Sequence, residues 1–403
     1  MTGLLGVVFL IAVAYAFSSS RSHINWRTVG GAFAIQALIG LFIIYSDFGS
    51  RVLLSITKFV EVIISYSQQG IDFLFGQLGN QSLGFIFAFN VLPVIIFFSS
   101  LIAVLYHLGI MALVIRVIGG ALQKLLGTSR PESMSAAANI FVGQTEAPLL
   151  IKPFLPSMTR SELFAVMVGG LASIAGSIMA GYAGLGVELK YLLAASFMAA
   201  PGGLLMAKLL EPETQQANDT LTEVKEDAEE YANIFDAAAS GAASGMKLAV
   251  NVGAMLLAFI ALIALLNGVL GFLGGLFNYD QLSIQLILGY VFQPIAFLIG
   301  VPWNEAQLAG SFIGQKVVVN EFVAYLDFIK YSDQLSAQTQ AIVTFALCGF
   351  ANLSSIAILM GGIGALAPTR RKQIAQLGLK AVFAATLANL MSAALAGVFI
   401  SLG

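Results

Sequence analysis

Two glutamates lie in stretches of the chain that are otherwise strongly apolar, Glu146 in the first half and Glu321 in the second. An ionised carboxylate inside the hydrocarbon core of a membrane costs about 3 kcal/mol or more, so it persists only with partners or with a task. Glu321, Asn352 and Ser355 together offer the hydrogen-bonding groups that neighbouring hydroxyls need, which favours a sugar or polyol ligand. The structural alternative is a carboxylate that accepts hydrogen bonds from the backbone N–H groups of a turn.

Amide and hydroxyl side chains accompany these carboxylates. Gln144 and Thr145 directly precede Glu146 and add donors and acceptors for the edge of a planar base, as does Asn352. Phe350, two residues before Asn352, offers an apolar face to such a ring. A single phenylalanine in an apolar span more often faces lipid or the protein core, so this role needs further support.

A cation site is indicated at Asn139 and Ser173, which lie where short helices are expected to end. Backbone carbonyls freed at helix ends, together with an amide and a hydroxyl, suit a hard monovalent cation such as sodium. Capping of the helices is the structural alternative. The chain has one cysteine and two histidines, which excludes a multi-cysteine metal site and a disulfide framework, and no cofactor is predicted.

Helices that cross a membrane must position these residues. The apolar set AVILMFWYC makes up 58% of the 403 residues and charged residues 10%, against roughly 45–50% and 25% in soluble domains. The net charge of −2 gives no basic field for nucleic acid. Long uncharged stretches predict an all-α membrane protein with about eight spanning helices, and amphipathic stretches in 49–78 predict interfacial helices. The first stretch lacks a basic start, so we expect a retained helix and not a cleaved signal peptide.

The two halves carry an internal repeat. Phe141-Val142-Gly143-Gln144 recurs as Phe312-Ile313-Gly314-Gln315, and each copy precedes an acidic residue and an apolar span broken by small and polar residues, at 169–177 and 349–355. We expect short helices at 131–142 and 148–155, and another short helix from Pro302 with a turn near 319–321. Such segments are too short to cross a membrane and predict two re-entrant hairpins. Paired hairpins and broken helices are typical of secondary transporters with inverted repeats.

The repeat and the charge pattern predict five segments: a scaffold in 1–125, the first repeat in 126–210, an acidic cytoplasmic linker in 211–240, a scaffold helix with its connection in 241–300 and the second repeat in 301–403. The linker is predicted to be helical near 224–239. Basic residues cluster at Arg21/Arg27, Arg116/Lys124/Arg130, Lys152/Arg160 and Arg370/Arg371/Lys372. The positive-inside rule assigns these turns to the cytoplasm and both termini to the outside.

Four blocks of sequence, in this order, resemble the concentrative nucleoside transporter family, its bacterial members especially: Asn139–Leu149, Pro302–Glu305, Asn320–Phe322 and Gly349–Ser355. The resemblance runs through essentially the whole chain. It implies a homotrimer in the bacterial inner membrane, in contact with lipid, whose subunits have eight spanning helices, interfacial helices and two re-entrant hairpins. It also implies sodium-coupled import of nucleosides such as uridine by alternating access, and no enzymatic activity.

The resemblance further implies roles for matching positions. The expected base contacts are Gln144, Thr145, Glu146, Ile178 and Phe350. The expected ribose contacts are Glu321, Asn352 and Ser355. The expected sodium ligands are Asn139, Val142, Ser173 and Ile174, with Val142 and Ile174 acting through main-chain carbonyls. Asn139 and Ser173 favour sodium over proton coupling.

Three alternatives stay open at the level of sequence. They are proton coupling, transport of another polar solute such as a dicarboxylate, and an intramembrane enzyme that cleaves a glycosidic bond with Glu146 and Glu321. Two acids without a basic residue at the hairpin tips argue against an anionic substrate, because like charges repel strongly in a low dielectric. The lack of an HExxH motif or a paired catalytic aspartate argues against the enzyme.

Overall fold

The computed structural model describes residues 2–79, 85–215, 231–277, 279 and 281–402. Within these ranges the regular structure is helical, without a strand. The α-helices, numbered in chain order, are α1 Thr2–Ala16, α2 Trp26–Gly40, α3 Asp47–Phe75, α4 Phe87–Asn90, α5 Leu92–His107, α6 Ile110–Leu126, α7 Arg130–Ala138, α8 Arg160–Ala172, α9 Gly176–Gly184, α10 Leu189–Leu210, α11 Ile234–Gly275, α12 Ile284–Leu298, α13 Trp303–Val318, α14 Glu321–Tyr331, α15 Ala337–Leu347, α16 Ser355–Gly361, α17 Ile363–Leu366 and α18 Arg371–Leu402.

Six helical segments of the described residues are long and apolar enough to cross a membrane: Trp26–Tyr45, Phe87–His107, Arg160–Gly184, Leu189–Leu210, Ile234–Gly275 and Pro368–Leu402. The pair α12 and α13, bent by 117°, would make a seventh. The first apolar stretch forms α1, whose 15 residues are fewer than the about 20 that a straight span needs. The all-α membrane fold is confirmed, whereas the number of eight spans stays a prediction.

Of the six candidate spans, the one that contains Ser173, Ile174 and Ile178 is one of the two most deeply buried. In the two segments Arg160–Gly184 and Leu189–Leu210, 94% of the most apolar stretch lies inside the protein, against 6% for α11. Most of the α11 surface is therefore left for lipid or for other chains. α3 is a single amphipathic helix of 29 residues that exposes apolar side chains such as Phe59 and Phe73. Its position at the membrane interface stays a prediction.

The four predicted basic turns belong to one end of the molecule. The Arg370 guanidinium donates to the Met158 carbonyl at 2.7 Å, and the Thr28 hydroxyl donates to the Leu126 carbonyl at 2.8 Å. The Ser19 N–H donates to the Leu210 carbonyl at 2.9 Å, and the adjacent Glu211 accepts from Arg160 at 2.8 Å, which joins these two pairs of turns. The N-terminal part of α1 lies at the other end, because a Cβ on Gly3 would come within 2.8 Å of Val398 near the end of α18. Both termini therefore lie opposite the basic turns, and the assignment of the basic end to the cytoplasm stays a prediction.

Each half contains a helix that is interrupted where the small and polar residues cluster. α8 ends at Ala172 and α9 begins at Gly176, while α15 ends at Leu347 and α16 begins at Ser355. The first break has three residues of irregular backbone and the second has seven. The irregular backbone leaves carbonyl and N–H groups without helical hydrogen-bond partners. Such groups are tolerated at membrane depth only where protein or ligand satisfies them.

The two expected hairpins differ in local structure. α7 ends at Ala138, four residues before the predicted limit, and residues 148–155 do not form the predicted α-helix but a 3₁₀ helix, Ala147–Ile151, followed by turns. Pro148, Pro153 and Pro156 explain this, since a proline every few residues removes the N–H donors that an α-helix requires. The second hairpin is regular, with α13 and α14 separated by residues 319–320.

The predicted linker is described only in part. Residues 216–230, which include most of its acidic residues, lie outside the described ranges. The helix predicted near 224–239 begins at Ile234, where the Asn233 side chain caps α11 by accepting from the N–H groups of Phe235 and Asp236. α11 thus starts inside the segment predicted as linker and continues without interruption to Gly275.

Candidate functional site

The three expected ribose contacts meet in one buried cluster. Glu321 is the first residue of α14, and Asn352 lies in the second break, where its Nδ2 donates to Glu321 Oε2 at 2.9 Å. Asn352 Oδ1 accepts from the Ser355 hydroxyl at 3.0 Å and from the Ser355 N–H at 2.9 Å. The exposed fractions of the three residues are 6%, 2% and 1%. The N-terminus of α14 adds a favourable dipole for the carboxylate.

Tyr182 joins this cluster, although the sequence did not single it out. Its hydroxyl donates to Glu321 Oε1 at 2.9 Å, so each carboxylate oxygen has a donor of its own. The ring packs on Phe322 and Tyr325 with centroids 4.8 and 4.6 Å away. Tyr182 lies on α9, one helical turn beyond Ile178 and on the same face. That spacing is the only sequence signal for it.

Gln144, Thr145 and Glu146 form the tip of the first hairpin but have different surroundings. Gln144 is buried, and its Oε1 has no hydrogen-bond partner among the described residues. Thr145 packs against the turn between α16 and α17, since a Cβ on Gly362 would lie 3.1 Å from its methyl group. Glu146 differs from the expectation of a buried carboxylate: its residue is exposed, and one oxygen accepts from the Gly143 N–H at 3.0 Å. With one donor among the described residues, the rest of this accessible carboxylate is open to an outside partner.

The expected base contacts do not form one bonded cluster. No hydrogen bond joins Glu146 to Glu321 within the described part of the chain. Ile178 is buried on α9, and Phe350 is half-buried, with its backbone N–H donating to the Ser173 carbonyl at 3.2 Å. This last bond ties the second break directly to the first. Two surface clefts of about 330 and 320 Å³ lie elsewhere and are not lined by any of these residues.

The expected sodium ligands converge where the first hairpin tip meets the first break. A Cβ on Gly169 would lie 3.2 Å from Asn139 Nδ2, and the Ser173 hydroxyl donates to the Gly169 carbonyl at 3.0 Å. Asn139 is 2% exposed, yet among the described residues neither polar atom of its amide has a partner. The N–H of Gly176, at the start of α9, donates to the Phe141 carbonyl at 2.9 Å and holds the tip against the break.

This corner fits a monovalent cation. Val142 and Ile174 lie outside helices, and no donor among the described residues bonds to their main-chain oxygens. A buried amide without a partner and carbonyls without donors are groups that protein interiors rarely leave unused. Sodium is bound by oxygens of this kind. The described residues contain no group of three His, Cys, Asp or Glu side chains arranged for a transition metal.

A second polar junction, also missed at the sequence level, joins the breaks from the other side. Asn389 in α18 donates through Nδ2 to the carbonyls of Ala172 at 2.7 Å and Cys348 at 2.9 Å. Its Oδ1 accepts from the Lys316 ammonium at 2.5 Å, and Lys316 also donates to the Ala346 carbonyl at 2.9 Å. Lys316 comes directly after the second copy of the repeated tetrapeptide, which was the one available signal.

The arrangement offers binding groups for two kinds of ligand. One side of the crossing offers a carboxylate, an amide and a hydroxyl that suit a sugar, and the other offers oxygens that suit a cation. The two acids expected to act in the enzyme alternative are not joined by a hydrogen bond within the described chain, and Glu321 has both oxygens committed to Tyr182 and Asn352.

Comparison with known families agrees with this architecture. The family model for the N-terminus of Na+ dependent nucleoside transporters matches residues 5–78, the nucleoside recognition model called Gate matches 88–188, and the model for the C-terminus of Na+ dependent nucleoside transporters matches 191–397. Together they span nearly the whole chain.

Individual proteins are similar over the same length. The chain is 51% identical to the nucleoside permease NupC of Helicobacter pylori, covering 99% of this chain and 97% of that protein. It is 38% identical to the human sodium/nucleoside cotransporter 1, covering 98% of this chain and 63% of that one. The solved structure of CNTnw in an inward-facing substrate-bound state matches with a TM-score of 0.96 at 56% identity, covering 100% of this chain and 98% of that chain. The fold, the polar residues and these similarities together show that the chain belongs to the family of Na+-dependent, or concentrative, nucleoside transporters. Members of this family are secondary transporters and not enzymes.

Proposed function

We propose that this chain imports nucleosides of the uridine type together with sodium by alternating access. The observation that carries the proposal is the buried cluster of Glu321, Asn352 and Ser355 between the second hairpin and the second break. A carboxylate with an adjacent amide and hydroxyl binds the vicinal hydroxyls of a ribose through strong hydrogen bonds. The name of the Helicobacter pylori relative, a nucleoside permease, supports the same substrate class.

The other expected residues complete this proposal. Gln144, Thr145 and Glu146 bind the base edge from the first hairpin tip, while Ile178 and Phe350 pack on its faces. Sodium binds to Asn139, Val142, Ser173 and Ile174 and fixes the tip against α9, which raises the nucleoside affinity. By thermodynamic linkage the nucleoside raises the sodium affinity by the same factor.

The larger architecture is proposed on the same basis. The two hairpins enter the bilayer from opposite faces as re-entrant pairs, and together with the broken helices of 126–210 and 301–403 they move against a scaffold formed by 1–125 and 241–300. Subunits assemble as a homotrimer in the bacterial inner membrane with both termini outside. The uncovered apolar surface of α11 and the common end of the basic turns support this arrangement.

The direct test is uptake of labelled uridine into proteoliposomes that contain the purified protein. We expect accumulation with sodium outside, little with potassium outside at the same pH, and chromatographically intact uridine inside. Glu321→Gln, which keeps the shape but removes the charge, is the matched control and should lose most nucleoside binding without changing the oligomeric state.

Other outcomes would assign another function. Equal accumulation in sodium and potassium would contradict the proposed sodium coupling. Dependence on a proton gradient alone would indicate proton coupling. Competition by dicarboxylates but not by unlabelled nucleosides would indicate a different solute. Free base and ribose inside the vesicles would indicate cleavage.

A further inference from the structure

Lys316 is a charged group for which the proposed transport cycle has no task. It lies two residues before the end of α13 and is 1% exposed. Among the described residues it forms no ion pair, and its ammonium donates only to neutral oxygens, those of Ala346 and Asn389. A buried ammonium without a carboxylate in contact is costly unless its surroundings supply negative potential.

The ends of two half-helices supply this potential. Ala172 is the last residue of α8, and Ala346 and Cys348 flank the end of α15, so three carbonyls from two helix C-termini converge on Lys316 and Asn389. Each helix C-terminus carries a partial negative charge of about half an electron. Transporters with broken helices bind their coupling cations at such half-helix C-termini and unwound carbonyls. The chemistry at Lys316 is therefore that of a cation site.

The internal repeat indicates which site this is. In the first half the tetrapeptide Phe141-Val142-Gly143-Gln144 lies beside the first break and includes Val142, one of the proposed sodium ligands. In the second half the tetrapeptide leads directly to Lys316, which reaches the carbonyl of Ala346 at the second break. Asn389 links the two positions, since its amide bonds both to Lys316 and to the carbonyl of Ala172, next to Ser173.

We propose that the Lys316 ammonium is a resident cation, which occupies the second half's counterpart of the sodium site and so removes the need for a second coupling ion there. The inference rests on the proposed sodium-coupled function. The ammonium holds the second break in its bound geometry without a bound ion, whereas the first break is ordered only when sodium arrives. Glu321 lies close enough to Lys316 to interact with it electrostatically, so the ammonium also favours the ionised carboxylate at the proposed ribose site. Removing the ammonium while keeping the Ala346 and Asn389 oxygens that bind it converts the position into a second site for a monovalent cation.

The test compares two substitutions at this position in the full-length protein. Lys316→Ala removes the ammonium and its stem and leaves a cavity beside the Ala346 and Asn389 oxygens, whereas Lys316→Met removes the charge but fills the volume. Initial rates of uridine uptake are measured against the external sodium concentration in proteoliposomes. We expect a hyperbolic curve for the wild type, a sigmoidal curve shifted to higher sodium for Lys316→Ala, and a large loss of rate at every sodium concentration for Lys316→Met.

A hyperbolic curve for Lys316→Ala with the half-saturating sodium concentration of the wild type would overturn the proposal, as would identical behaviour of the two variants or a sigmoidal wild-type curve. If Lys316→Ala does not transport, calorimetric titration of the purified variant with sodium replaces the flux measurement: one additional bound sodium supports the proposal, and none overturns it. Uptake by the wild type that does not depend on sodium would contradict the proposed sodium-coupled function itself. This outcome differs from those that contradict only the proposal for Lys316.

Discussion

The Glu321 carboxylate is held by two neutral donors from different helical segments. Tyr182 on α9 bonds one oxygen and Asn352 in the second break bonds the other, each at 2.9 Å. With both positions fixed, the remaining lone pairs of the carboxylate point in defined directions, so a ligand hydroxyl meets an acceptor that is already oriented. Because Tyr182 belongs to the first repeat and Glu321 to the second, one hydrogen bond connects the two halves at the proposed ribose site.

Removing the Tyr182 hydroxyl tests this connection. We expect Tyr182→Phe to weaken nucleoside binding about tenfold, because a hydrogen bond to an ionised group contributes about 1.5 kcal/mol or more and here also orients the acceptor. Calorimetric binding of uridine in saturating sodium measures the change. Tyr325→Phe is the matched control, since that hydroxyl is equally buried but donates to the Thr344 carbonyl at 2.8 Å. Equal losses in both variants would mean that only packing stability is affected.

The unpartnered amide of Asn139 allows a prediction about sodium. Replacing it with alanine removes a proposed ligand and leaves the nucleoside cluster intact, so the half-saturating sodium concentration should rise severalfold while uridine affinity at saturating sodium changes little. Sodium titrations of uridine uptake measure both quantities. Asn267→Ala, which removes an amide bonded to Gln285 on the distant α11–α12 pair, serves as the control. An unchanged sodium dependence in Asn139→Ala would remove this residue from the cation site.

Polar residues that interrupt apolar spans could be recognised in the sequence, whereas the polar partners Tyr182 and Asn389 inside regular helices could not. Glu321, Asn352 and Ser355 stand out because a polar group in an apolar span needs an explanation. Tyr182 and Asn389 sit within helices, and their partners are 139 and 217 residues away in the chain, at Glu321 and Ala172. Only the folded structure reveals such partners, because side-chain chemistry alone does not say which distant segments come together.

At the level of the elements, the positions of both breaks can be derived from composition, but their local form cannot. The runs 169–177 and 349–355 predicted the ends of α8 and α15, since small and polar residues lower helix propensity and compete for backbone bonds. The two copies of the tetrapeptide differ, however: 141–144 is irregular and 312–315 is helical. Pro148 keeps an α-helix from continuing through the tip in the first half, whereas the second half continues without a proline through Val318. The end of α7 at Ala138 lies ten residues before Pro148 and does not follow from it.

The contact between the first tip and α9 can be tested at a glycine. A Cβ on Gly176 would lie 2.9 Å from the Phe141 carbonyl oxygen, closer than backbone atoms allow. We expect Gly176→Ala to push the tip off the break, to weaken sodium and nucleoside binding together, and to cost about 1–3 kcal/mol of stability. Gly184→Ala in the same helix is the control, because its nearest neighbour would be 3.7 Å away. Binding and thermal melting of both variants provide the comparison, and normal binding in Gly176→Ala would contradict the idea of a tip fixed by this contact.

At the scale of the whole molecule, one ionic network ties several helices together at the basic end. Glu211, directly after α10, accepts from Arg160 at 2.8 Å and from Lys380 at 2.6 Å, while Lys208 pairs with Glu132 at 2.7 Å. The network therefore links α7, α8, α10 and α18. Basic residues at this end were predicted from the positive-inside rule, but the burial of Glu211 was not, because the sequence presents it as the start of an acidic linker.

The network gives a prediction for the pH dependence of stability. Burial alone would raise the pKa of the Glu211 carboxyl, but hydrogen bonds from Lys380 and Arg160 outweigh burial and lower the pKa below its ordinary value. A lowered folded-state pKa contributes stability that is present above the ordinary carboxyl pKa of about 4.3 and is lost as the pH falls through the lower folded value. We expect the melting temperature of the wild type to fall in this acidic range, and the fall to be smaller in Glu211→Gln. Glu213→Gln, at a more exposed carboxylate, is the control. An identical acid profile in Glu211→Gln and the wild type would show that the network does not control acid stability.

The length of α11 makes the protein sensitive to the thickness of its bilayer. Its 42 residues correspond to about 63 Å of helix, roughly twice the hydrocarbon thickness of a typical membrane. A rod of this length must incline steeply or protrude, and its inclination changes with the acyl-chain length of the surrounding lipid. Because α11 packs along α5, which in turn meets α9 beside the proposed site, thin and thick bilayers should support different turnover rates with the same chain.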